Sequence, residues 1–203
     1  GAVPRYQDSL AMLLQSAGQK KSASLAMKQF GDEGAERLAT LLDSGTGRSL
    51  EGLDISCNAI GSAGASAMAK WLAANDKLQT LDISTNGLGD EGCEQIAKAL
   101  TSNASLTQLD LHACAIGDKG ATALADALKE NFALKILNLK ANYITDEGAV
   151  VLARAAGKSK TLRCLITMSN DIGRVGRDAI EDAFASAEQL SDIMPYDLIK
   201  LNM

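Results

Sequence analysis

Leu78-Gln-Thr-Leu81-Asp-Ile83-Ser-Thr-Asn86-Gly-Leu88-Gly89 is the stretch on which the fold turns. Its skeleton returns every 28 residues. Leu50, Leu78, Leu106, Leu134 and Leu162 occupy the first place. Leu53, Leu81, Leu109, Leu137 and Leu165 occupy the fourth, and Ile55, Ile83, Leu111 and Leu139 the sixth, where the last copy has Thr167. The ninth place holds Asn58, Asn86, Cys114, Asn142 and Asn170, and the eleventh Ile60, Leu88, Ile116, Ile144 and Ile172. A glycine follows in each copy, at Gly64, Gly92, Gly120, Gly148 and Gly176. Then come apolar pairs such as Met68 with Leu72, Ile96 with Leu100 and Leu124 with Leu128. Self-similarity at a fixed period of this length is the mark of a repeat architecture.

Each place has a physical role. Apolar residues two apart, such as Leu53 and Ile55, share one face of a short strand. Asn at the ninth place ends the strand, and its amide can satisfy backbone groups left unpaired by the bend. Cys114 fills the same slot as a weaker donor. Spacings of three and four residues after the glycine predict helices over Ala65–Leu72, Cys93–Leu100 and Ala121–Leu128. Ser62, Asp90, Asp118 and Asp146 lie at the helix starts, where caps and negative charge are favoured. A strand needs roughly 4.8 Å beside its neighbour and a helix roughly 8–10 Å, so a stack of such units must bend with strands inside.

The motif L-x-x-L-x-[IL]-x-x-[NC]-x-[IL] followed by a helix resembles the leucine-rich-repeat family, in its ribonuclease-inhibitor-like form with a long helical repeat. The resemblance covers residues 22–184. It implies an α/β solenoid, a right-handed β-α superhelix shaped as a short horseshoe with a concave parallel sheet and outer helices. It also implies a protein-interaction module that holds another protein on the concave face. Two alternatives come from similar families. One is a GTPase-activating-type regulator, as in the Ran system, and the other an actin- or cytoskeleton-binding domain of the tropomodulin type.

Composition narrows the function further. The chain of 203 residues carries a net charge of −5, which argues against a nucleic-acid groove or an anionic membrane surface. Aromatic residues make up only 3% of a chain that is 46% hydrophobic, which suits many copies of a tight aliphatic unit. Cys57, Cys93, Cys114 and Cys164 sit at four different repeat places without CxxC spacing, and are expected to be reduced thiols of a cytoplasmic protein. No apolar run reaches the ~20 residues of a membrane span, and no secretory leader is visible. The chain opens on Gly1 and is read as a piece of something longer. A monomer without metal or cofactor is expected.

The chain reads as a non-enzyme. His112 is the only histidine, and Cys114, on the inward ladder, cannot reach it as a nucleophile. Gly117-Asp-Lys-Gly120 repeats Gly89-Asp-Glu-Gly92 and is therefore structural. No phosphate loop is present.

The candidate partner-binding residues are the outward-facing strand positions. The fifth place gives Asp54, Asp82, Asp110, Asn138 and Ile166, and the seventh Ser56, Ser84, His112, Lys140 and Met168. The first half of this surface is an acidic stripe. Three like charges at inter-strand spacing repel one another, which suits a basic partner. The second half mixes Lys135, Lys140 and Arg163 with Ile136, Ile166 and Met168.

The ends depart from the pattern. Residues 1–21 are expected to form a helix or partial repeat that caps the array, since Leu10 and Leu14 precede Leu38 and Leu42 by one period. Leu25 can match either Leu53 or Ile55, because Gly45-Thr46-Gly47 makes the following loop two residues longer. Residues 185–203, rich in Leu, Ile and Met, are expected to form a C-terminal cap.

Overall fold

The computed structural model describes residues 10–12, 14 and 21–186. Strands and helices alternate strictly. β1 (Ser22–Ser24), α1 (Gly31–Asp43), β2 (Gly52–Asp54), α2 (Ser62–Ala74), β3 (Thr80–Asp82) and α3 (Gly89–Ser102) form the first half. β4 (Gln108–Asp110), α4 (Asp118–Glu130), β5 (Ile136–Asn138), α5 (Asp146–Lys158), β6 (Cys164–Ile166) and α6 (Arg174–Ser186) form the second. The six strands make one parallel sheet in sequence order. This is the α/β leucine-rich-repeat solenoid that the period requires.

The register pairs each motif residue with its own copy one repeat on: Leu53 with Leu81, Leu81 with Leu109, Leu109 with Leu137 and Leu137 with Leu165. All five are buried, as are Ile55, Ile83, Leu111 and Leu139 behind them and Met68, Leu72, Ile96, Leu100, Leu124 and Leu128 from the helices. Each such side chain contributes roughly 1.5–3 kcal/mol on leaving water. Thr167 also points inward and is buried, so the exception in the last copy places a hydroxyl where its neighbours have methyl groups.

The first repeat resolves the ambiguity at Leu25. Ser22 pairs with Gly52 and Ser24 with Asp54, and Leu25 donates its amide to the Asp54 carbonyl as Ile55 does to that of Asp82. Leu25 is thus the equivalent of Ile55, and Lys28 stands at the asparagine place. Leu10 and Leu14 are helical and buried in the common core. The rest of the expected N-terminal cap, and all of the C-terminal one after Ser186, lie outside the described residues.

The asparagine ladder runs along the strand ends. The Asn86 amide nitrogen donates to the carbonyls of Ile55, Ile83 and Ser84, and its oxygen accepts the backbone N–H of Asn58 and of Ile60. Asn142 repeats this toward Leu111, Leu139, Lys140, Cys114 and Ile116. The residue just before each ladder position is left-handed, with φ of 55° at Cys57, 54° at Thr85, 52° at Ala113, 55° at Ala141 and 58° at Ser169. Such angles are unfavourable for non-glycine residues, and the ladder bonds hold them.

The aspartates at the helix starts work differently from the sequence expectation. They lie within the first turn, and the bonds they accept come from the next repeat. The Asp90 carboxylate accepts the N–H groups of Gly117 and Gly120, and that of Asp118 the N–H groups of Thr145 and Gly148. Asp32 does the same for Gly61 and Gly64. This explains the repeated glycine. A Cβ at Gly148 would lie 2.5 Å from the Asp118 carboxylate, and one at Gly120 2.9 Å from that of Asp90. Ser62 lacks the carboxylate and makes no such bridge to α3.

Candidate protein-binding face

The residues expected to meet a partner lie along the strands, and each of their rows is set by the strand register. Asp54, Asp82, Asp110, Asn138 and Ile166 stand side by side as direct partners. The acidic stripe is therefore real, and so is its change to an apolar end.

The stripe has a local job that spacing alone did not reveal. One oxygen of each fifth-place aspartate accepts the backbone N–H two residues on: Ser56 to Asp54 at 3.0 Å, Ser84 to Asp82 at 2.9 Å and His112 to Asp110 at 2.9 Å. Asn138 holds Lys140 in the same way at 3.0 Å. These side chains close the turn at each strand end. The second oxygen differs along the row. That of Asp54 accepts from the Ser24 hydroxyl at 2.7 Å, and that of Asp110 from the Asn138 amide at 2.9 Å. The second oxygen of Asp82 has no partner among the described residues. Partial burial pushes the Asp54 carboxyl up, but the bonds from Ser24 and Ser56 outweigh it and hold the group below the usual range.

The seventh-place residues divide. Ser56 is half-buried and gives its hydroxyl to Asp54 at 2.8 Å. Ser84 is buried at 8% exposure, so its side chain offers little to a partner, against expectation. His112 and Lys140 are half-buried, as are Ile166 and Met168 at the far end.

Asp110 and His112 share the face, but the carboxylate takes the histidine's backbone N–H and not its ring. The Cys114 thiol points into the ladder, toward the carbonyls of Ile83 and His112 at 3.4 and 3.5 Å. Burial pushes it up to about 12, so it is no nucleophile at neutral pH. No disulfide joins the four cysteines, and no group of three or more potential metal ligands converges among the described residues. No described helix is long and apolar enough to cross a membrane.

Sequence reasoning missed a second ladder on the opposite rim, where helices end. Asn75, Asn103 and Asn131 lie one period apart, followed by Ser159. The Asn131 amide nitrogen donates to the carbonyls of Leu100 and Asn103, and its oxygen accepts from Ala133 and Leu134. The 28-residue spacing of these asparagines was the available signal.

Comparison with known proteins agrees with this geometry. The family model described as Leucine Rich repeat matches residues 48–69 and 74–97. No curated protein matches the chain. Among solved structures, that of Leiomodin-1 Actin-Binding Site 2 is similar with a TM-score of 0.57 at 14% identity, covering 91% of this chain and 90% of that one. The C-terminal domain of a Caenorhabditis elegans tropomodulin is similar with a TM-score of 0.55 at 10% identity, covering 96% of each chain. At such identities these two likenesses show the fold. The model described as TMOD/LMOD Leucine-rich domain matches residues 87–194, just over half of the sequence, and the chain belongs to that tropomodulin/leiomodin leucine-rich family.

Proposed function

We propose that the chain is a protein-interaction module that binds actin, with the exposed face of the sheet as its contact surface. Membership in the tropomodulin/leiomodin family supports actin as the partner, as does the likeness to the actin-binding site of leiomodin-1. One observation carries the choice of face. Asn138 closes its turn with a neutral amide, so the turn needs an oxygen but no charge. The charge of Asp82, whose second oxygen has no partner among the described residues, exceeds what its turn requires, and its repulsion with the neighbouring Asp54 and Asp110 is offset when a basic surface docks on the row. On this reading Asp54, Ser56, Asp82, Asp110, His112 and Asn138 face the basic part of the partner, and Lys140, Ile166 and Met168 its apolar part. Ser84 contributes only its backbone.

The 28-residue helical repeat is of the ribonuclease-inhibitor-like kind, and the module works as a cytoplasmic, non-catalytic monomer. Residues 22–184 act as the repeat array of this module.

Co-sedimentation with purified actin, and binding to actin monomers, test the proposal. Wild-type protein is expected to bind. Asp82→Asn with Asp110→Asn, which keeps the oxygen that each turn needs and removes the charge, should weaken binding at least about tenfold, as expected for loss of complementary charge at an interface. Wild-type protein that does not bind overturns the partner; a double variant that binds equally well overturns the face.

A further inference from the structure

The rim where the chain enters the strands changes charge along the array. Its second-place row runs Glu51, Gln79, Thr107, Lys135 and Arg163. At the first end Glu51 is neutralised by Lys21 at 2.8 Å. At the other end Lys135 and Arg163 are adjacent cations, the Arg163 amide donating to the Lys135 carbonyl at 2.7 Å. Neither forms an ion pair among the described residues. The Arg163 guanidinium instead rests on the carbonyls of Lys160 and Leu162, both at 3.1 Å.

Phe132 lies three residues before Lys135 and follows the second ladder at Asn131. Lys160 occupies the same place one repeat on, after Ser159. Phe132 is 68% exposed, in a chain with only three phenylalanines. Glu130 is the nearest exposed acid in sequence. An exposed aromatic residue on the same rim as cations without ion-pair partners among the described residues has the composition of a binding hot spot. Side-by-side like charges on neighbouring strands oppose folding slightly and are relieved only by an anionic partner.

We propose that Phe132, Lys135, Lys160 and Arg163 form a second docking surface, distinct from the acidic stripe of Asp54, Asp82 and Asp110, for an acidic protein segment that carries apolar side chains. The apolar groups of that segment pack on the Phe132 ring while its carboxylates meet the three cations. Charge complementarity selects this occupant: the acidic stripe of Asp54, Asp82 and Asp110 repels such a segment, while this rim attracts it.

Selection of a displayed library of random short peptides on the full chain tests the surface without assuming any partner. Wild-type protein should enrich peptides combining Asp or Glu with aromatic or large aliphatic residues, with affinity falling as salt rises. Phe132→Ala, and separately Lys135→Glu with Lys160→Glu, should weaken the selected peptides at least about tenfold. All three side chains are exposed, so the variants should melt as wild type does. The sheet-face variant Asp82→Asn/Asp110→Asn should keep the peptides, which separates this result from the actin experiment. Enriched peptides without the acidic–apolar character, or rim variants that bind them unchanged, overturn the proposal. So does a parallel arm in which phosphatidylserine vesicles bind in a Phe132-dependent way while no peptide is selected.

Discussion

The two rims of the sheet solve one problem with one residue type, and they differ in what each asparagine joins. On the strand-end rim Asn142 faces backward with both ends of its amide. It donates to Leu111 of the preceding repeat and accepts from Cys114 and Ile116 of that repeat. On the helix-end rim Asn131 donates backward, to Leu100 and Asn103, but its oxygen holds the turn of its own repeat through Ala133 and Leu134. The Asn142 nitrogen also reaches Leu139 and Lys140 of its own repeat, so the rims differ in the oxygen, which fastens repeat to repeat on the first and shapes a local turn on the second. What recurs in the sequence is what makes these joints.

Removing a strand-end joint should give the largest effect. Asn142→Ala leaves three carbonyls and two N–H groups in a buried slot without their partner. At about 1–3 kcal/mol for an unsatisfied buried group, a loss of about 3 kcal/mol or more is expected in urea unfolding. Asn131→Ala should cost less, because two carbonyls and two N–H groups lose their partner there, one group fewer. Equal losses would erase the distinction between the rims.

The aspartate bridges sharpen the same contrast on the helix side. Asp118→Ala removes the acceptor for Thr145, through both its amide and its hydroxyl, and for Gly148. A loss of about 1–2 kcal/mol is expected, as for a helix cap. Its location is the decisive readout. Hydrogen exchange should quicken at the first turn of α5 and not at that of α4, which contains the mutated residue. Faster exchange in α4 alone would mean that the aspartate serves its own helix.

Cys114 interrupts the strand-end rim, so Cys114→Asn restores it. Its slot is fully buried and shaped for asparagine in the neighbouring copies. A gain of about 1 kcal/mol in stability is expected, one net hydrogen bond's worth. A destabilised variant would show that the sulfur fills a volume the amide cannot.

The architecture was legible because the buried residues are the ones that recur: Leu53, Leu81, Leu109 and Leu137 meet in register at the spacing the sequence shows. Three features stayed hidden. The left-handed turn before each ladder asparagine is occupied by Cys57, Thr85, Ala113, Ala141 and Ser169, and no glycine marks it. The destination of Asp90 and Asp118 depends on how far the next helix sits from the last, which only packing determines. The burial of Ser84 follows from the same crowding. The binding rows were legible as positions and not as roles, since an aspartate that closes a turn and one that awaits a partner look alike in a sequence.

Asp54 offers the finest comparison, with Asp82 one strand away. The Ser24 and Ser56 bonds lower its carboxyl pKa in the folded chain, while in the unfolded chain it titrates near about 3.9. Around and below that pH the unfolded state binds more protons, so folding stability is present at neutral pH and is lost as pH falls through the folded pKa. Asp54→Asn keeps an oxygen for the Ser56 amide, as Asn138 does for Lys140, but removes this titration. Unfolding measured between neutral pH and about pH 3 should therefore show a smaller acid loss in Asp54→Asn than in wild type. Ser24→Ala should move in the same direction by a smaller amount, because the Ser56 bonds remain. If both variants kept the wild-type acid slope, the Ser24 and Ser56 bonds would not be what favours the charged form. The row would then be equivalent at Asp54 and Asp82 despite its different partners.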